Sequence, residues 1–103
     1  MSLPKLSAEQ RADALAQATA SRRRRAEVKQ QLKAKQMTVS EVFELAEEDE
    51  AIAKMRAIAL LESLPRIGPQ RAAELLVEIG IAPSRRVRGL GPLQRAALVE
   101  RFS

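Results

Sequence analysis

The chain has 103 residues, of which 46% are hydrophobic and 30% charged, with a net charge of +5 and an isoelectric point near 10.4. It has no cysteine and no histidine, which removes disulfides, thiolate metal sites and the commonest general base. No apolar run approaches the ~20 residues of a membrane span, Met1–Lys5 is charged where a signal peptide would turn apolar, and no carboxylate pair suggests catalysis, so the expectation is one domain with an appendage, not an enzyme, with no cofactor, metal or membrane partner.

Ser7-Ala8-Glu9-Gln10 predicts the first helix start, with Ser7 as N-cap and Gln10 reaching back to it. From there to about Lys35 the chain has no proline or glycine and is rich in strong helix formers. Its apolar face is thin: Ala8, Ala12 and Leu15, then Val28 and Leu32. With so little to bury, residues 1–37 read as a basic helical arm, docked near its ends at most. Arg22, Arg23, Arg24 and Arg25 sit in mid-arm. They suit a phosphate backbone as a secondary contact, together with Lys54; a solvated charge run explains them equally well.

Thr38-Val39-Ser40-Glu41 is a second capping box. Val39, Val42, Phe43 and Ala46 follow at the spacing of an amphipathic helix. Glu47-Glu48-Asp49-Glu50 then reads as the acidic start of a third helix, favoured by the helix dipole. Four consecutive acids spread around a helix rather than converge on a metal. Ile52, Met55, Ile58, Ala59 and Leu61 give this helix a core face as far as Pro65, where the residue before proline leaves the α region.

The stretch Leu64 to Ala73 is the most informative. A tight turn, Pro65-Arg66-Ile67-Gly68, feeds a helix opened by Pro69, a residue suited to the first helical position. Gly68 is expected to take a φ closed to other residues. The unpaired amides of Gln70 and Arg71 would mark a spot attractive to phosphate, flanked by the charges of Arg66 and Arg71. Such a backbone grip ignores base identity. Taken alone, the turn is as well explained by an ordinary helix corner.

The helix from Pro69 presents Ala72, Leu75, Leu76 and Ile79 on one side and ends at Gly80. A second turn holds Arg85, Arg86 and Arg88 beside Gly89. Val87 points inward and turns the arginines out as a fork-shaped patch for phosphate; pairing with Glu74, Glu78 or the acidic middle is the alternative. Pro92 opens a last helix with Leu93, Ala96, Ala97 and Phe102 facing in. No strand signal occurs, so the fold class is all-α, a long N-terminal helix followed by a small helical bundle.

Charge is segregated along the chain. Residues 1–37 carry net +6, residues 38–64 net −5 and residues 65–103 net +4. Basic ends around an acidic middle suit a polyanion. The only aromatics are Phe43 and Phe102, too few to stack the bases of a single strand. A duplex is the better partner.

The Leu64–Ala72 turn resembles the helix-hairpin-helix of DNA-backbone binders, with Arg66 where that pattern usually has glycine. Leu64 to Phe102 is similar to the helix-two-turns-helix region of a bacterial small-subunit ribosomal protein. The whole chain more closely resembles the actinobacterial integration host factors of mycobacterial type. Leu3-Pro4, Glu9-Gln10-Arg11, Lys54-Met55, Ala59 to Pro65 and the Arg85-Arg86-Val87-Arg88-Gly89-Leu90-Gly91 run carry that resemblance. It implies a helix-two-turns-helix DNA-binding domain over residues 38–103. It also implies a monomeric, nucleoid-associated cytoplasmic protein that binds double-stranded DNA largely without regard to sequence, helps a phage integrase or other recombinase and compacts DNA. Pro65, Arg66, Ile67, Gly68, Pro69, Gln70, Arg71, Arg85, Arg86, Arg88 and Gly89 form the expected interface. An RNA-binding or ribosome-associated protein is the runner-up, and a coiled-coil interaction module is disfavoured because no heptad persists through Ala20–Glu27.

Overall fold

Helix α1 spans Ala8–Lys33 in a computed structural model that describes residues 7–102. Met1–Lys5, the Leu3-Pro4 pair and Ser103 lie outside the described residues. The predicted capping box is formed: the Gln10 amide donates to Ser7 Oγ at 3.1 Å and the Ser7 amide to Gln10 Oε1 at 2.9 Å. Docking is one-sided. Ala8 and Ala12 are exposed and Leu15 is 66% exposed, whereas Val28 and Leu32 are fully in the core. The N-terminal half of α1 therefore has no apolar seat, and its C-terminal half holds the helix to the body.

Helix α2, Val39–Glu48, begins at the second capping box, Thr38 with Glu41, and buries Val39, Val42 and Phe43. Asp49 then caps α3, Glu50–Ala53, by accepting the Ala51 amide at 3.0 Å. It also takes the Arg24 guanidinium at 2.8 Å. The acidic run thus starts a helix and ties α1 to it.

The single helix expected from Asp49 to Leu64 is two helices. After α3 the chain straightens at Arg56 (φ −71°, ψ 142°) and α4 runs over Ala57–Glu62. The cause is tertiary. The Met55 carbonyl accepts the Val87 amide at 2.8 Å and the Ala57 amide donates to the Arg85 carbonyl at 2.9 Å, a one-residue antiparallel bridge between Arg56 and Arg86. Backbone groups engaged with a distant turn are lost to an uninterrupted helix. The break also resets the helical phase. Ala57 and Leu60 are buried, while Ile58 and Ala59 are only half-buried.

Helix α5, Pro69–Ile79, packs Ala72, Leu75 and Leu76 inward. It stops at Gly80, left-handed at φ 80°, where the amides of Gly80 and Ile81 both bond the Leu76 carbonyl. A short 3-10 turn, Val87–Gly89, precedes α6, Pro92–Phe102. The phase expected for α6 is corrected. Leu93 is 86% exposed and Leu98 is the fully buried residue. Its neighbourhood is set by Gln94, which accepts the Gly91 amide and donates to the Gly80 carbonyl, both at 2.9 Å. That brace turns the Leu93 side of the helix outward.

One core joins all of this: Val28 and Leu32 of α1, the α2 face, Ile52, Met55, Leu60, Leu61 and Leu64, the α5 face, and Ile81, Val87, Leu90 and Leu98. Among the described residues there is no strand beyond the isolated bridge, and no helix is long and apolar enough to cross a membrane.

Candidate nucleic-acid interface

The corner between α4 and α5 is built by local bonds. Ser63 Oγ donates to the Ala59 carbonyl at 2.7 Å, and the Ile67 amide returns to the Leu64 carbonyl at 3.3 Å. Reversing the chain in so few residues requires a left-handed step, and Arg66 supplies it at φ 67°. Gly68, expected to do so, sits at φ −88° and ψ 179°, which any residue adopts. A Cβ placed on Gly68 would meet nothing within 4 Å. Neither strain nor crowding inside the molecule therefore calls for glycine there, and the missing side chain leaves open room in front of α5.

That room faces bare donors. Gly68 offers no side-chain cap and Pro69 has no N–H. The first bonded amide of α5 is Ala72, which reaches the Gly68 carbonyl at 3.0 Å. The amides of Gln70 and Arg71 are left among the unpaired donors of the helix start, where the helix dipole adds partial positive charge. The Arg66 side chain is exposed and forms no ion pair among the described residues. Pro65 and Ile67 are half-buried and anchor the turn; Gly68, Pro69, Gln70 and Arg71 are exposed.

The Arg71 side chain lies along α5, not across the corner. Its guanidinium meets Glu74 at 3.2 Å and Glu78 at 3.1 Å, and Glu78 also takes Arg101 at 2.8 Å. The bonds from Arg101 and then Arg71 hold the Glu78 carboxyl below its ordinary titration range. Glu74 and Glu78 are thus occupied by Arg71 and Arg101, and none of Arg85, Arg86 and Arg88 forms an ion pair with the acidic middle among the described residues.

In that second turn Val87 is fully buried and Arg85, Arg86 and Arg88 are exposed around it, as its inward direction predicts. The three are not equivalent. Arg85 curls over its own loop and donates to the Gly89 carbonyl at 3.2 Å, with its Cδ just 3.0 Å from where a Gly89 Cβ would stand. Arg86 donates to the Lys54 carbonyl at 2.8 Å. Arg88 forms no ion pair among the described residues.

Of the mid-arm arginines, Arg22 and Arg23 are exposed. Arg24 is committed to Asp49 and Glu27. Arg25 leans on the Ala51 carbonyl at 3.5 Å and enters a cleft with Lys54 and Arg86. Two further cations line the same cleft, Lys29 and Arg56, and the sequence reading passed over both. Lys29 was findable, because it stands one helical turn beyond Arg25 on the same face. Arg56 was not, since its place depends on the break imposed by the backbone bonds from Arg85 and Val87.

A helical body with a left-handed hairpin corner and a second basic turn is the architecture of the helix-two-turns-helix proteins. The model of the S13-like H2TH domain family matches residues 32–102. The integration host factor of Mycobacterium tuberculosis is 51% identical over 102 residues, covering 99% of this chain and 97% of that protein. That of Streptomyces coelicolor is 50% identical over 102 residues, with 99% and 95% covered. A solved structure of sIHF bound to an 8 bp palindromic DNA is similar at a TM-score of 0.83 and 46% identity, covering 85% of this chain and 99% of that one. The chain belongs to this integration host factor family within the S13-like H2TH domains.

Proposed function

We propose that this protein is an architectural binder of double-stranded DNA that grips the sugar–phosphate backbone at its two basic corners. The observation that carries the reading is the start of α5: two unpaired amides behind an unobstructed glycine, beside an exposed arginine. Backbone phosphates fit such donors regardless of sequence. The relatives' names and the DNA-bound sIHF structure support the same reading. Arg66 and the Gln70 and Arg71 amides seat one phosphate; Arg85, Arg86 and Arg88 hold others. The exposed Arg22 and Arg23, with Lys54, form a further contact surface through which one protein, acting as a monomer, bends one duplex or joins two. In the cell this places it on the nucleoid in the cytoplasm, where it condenses DNA and assists a recombinase.

Fluorescence anisotropy with a short duplex tests this. With four to six phosphates neutralised, log K against log salt should slope at about −4 to −5. Reversing the charge at Arg85 and Arg86 should weaken every sequence alike. A salt-independent affinity ends the proposal, and a loss confined to one sequence replaces backbone grip with base readout. The S13-like match makes duplex RNA the competitor to include. RNA displacing DNA at equal concentration would favour a ribosome-associated role.

A further inference from the structure

The cleft between α1 and the α3–α4 break has a chemistry of its own. Arg25 and Lys29 enter it from α1, Lys54 and Arg56 from the break and Arg86 from the second turn, with Ser21 at one end. No carboxylate lines it; Glu50 reaches only Lys54, at 3.1 Å. The other four cations have no ion pair among the described residues. Two of the heads are already held in place by backbone carbonyls, Arg86 at Lys54 and Arg25 at Ala51. Four cations without a carboxylate partner, beside a fifth held by Glu50, surround a space of about 450 Å³ and repel one another.

We propose that this cleft binds a compact oligophosphate, of the kind carried by a free nucleoside triphosphate. Charge density decides against a passing DNA strand as the intended occupant. A DNA strand spaces its charges about 3.4 Å apart along the helix axis. A triphosphate chain concentrates roughly three to four, its terminal group alone bringing close to two. Pre-positioned guanidiniums suit its closely spaced oxygens. This site stands apart from the hairpin corner but shares Arg86 and Lys54 with the proposed duplex contacts, so loss of duplex binding at α5 leaves it intact, whereas charge reversal at Arg86 weakens both.

Calorimetric titration of the full chain with tripolyphosphate, ATP and orthophosphate, alongside amide NMR, tests the proposal. Tripolyphosphate and ATP should saturate a single site, shift Ser21, Lys29, Met55 and Arg86, leave Gln70 and Arg71 unmoved and raise the melting temperature. Orthophosphate should bind far more weakly. Lys29→Gln and Arg56→Gln, both at exposed positions, should each weaken tripolyphosphate by about tenfold, with unchanged circular dichroism showing that the fold is kept. Equal affinity for tripolyphosphate and ATP assigns the site to the phosphates alone, and tighter ATP assigns it to a nucleotide. Unsaturable shifts spread over all arginines, shifts confined to residues 68–71, or a cleft that answers only to a short duplex would each overturn it.

Discussion

Arg66 holds a backbone position that its side chain disfavours. An ordinary residue in the left-handed region costs about 1–2 kcal/mol, and a glycine there would give back about 0.4–1 kcal/mol through a freer unfolded chain. Arg66→Gly should therefore raise stability in urea by up to about 1.6 kcal/mol while weakening duplex binding through the lost guanidinium. A fall in stability would mean that the arginine makes contacts which outweigh its strain. Glu78 presents a second single-residue case. Because Arg101 and Arg71 depress its titration, its contribution to stability is complete above the unfolded-state value and drains away as pH falls through the lower folded-state one. An NMR titration should place its midpoint below the ordinary 4.5. Glu78→Gln should flatten the acid limb of the stability curve. A midpoint at or above the ordinary value would mean that the two arginines leave the carboxylate in solution.

At the scale of elements, the sequence was most readable where local chemistry decides. Both capping boxes, Pro at the head of α5, Gly80 at its end and Val87 between outward arginines all stand as their residue types dictate. It was least readable where distant groups intervene. Nothing within Asp49–Leu64 announces the break at Arg56, since the groups that impose it lie at Arg85 and Val87. The hairpin glycine misled for a local reason: residue type assigned the left-handed step to Gly68, whereas Arg66, two residues earlier, takes it. For α6, Leu93 and Leu98 are the same kind of side chain, and the reading that put Leu93 in the inward set chose the exposed one. Their mutants should separate cleanly. Leu98→Ala should cost about 2–5 kcal/mol by opening a core cavity, whereas Leu93→Ala should stay within about 0.5 kcal/mol. Similar losses at both would show that α6 has a second buried face.

The whole molecule hangs on one modest core into which α1 sends only its final turns. A body of this size buries a small share of its surface and is marginal on its own. Whatever binds only the folded form must therefore register strongly in its melting. Saturating duplex should raise the melting temperature by several degrees, about 4–8 °C for each kcal/mol gained. A melt indifferent to DNA would put binding on another element, such as the exposed half of α1. The candidate sites divide along the same line. The hairpin corner lies within one local stretch and was legible in the sequence. The cleft joins residues from positions 21 to 86 and became visible only once the chain was folded.

The vacancy beside Gly68 separates two things that are usually entangled. A methyl group added there disturbs no neighbour and no dihedral angle, so the isolated protein tolerates alanine at the modest expense of a poorer helix start. A phosphate seated on the α5 amides, as proposed above, would share that open room with the methyl. Position 68 is thus a place where architecture and recognition are edited independently, by a single carbon atom.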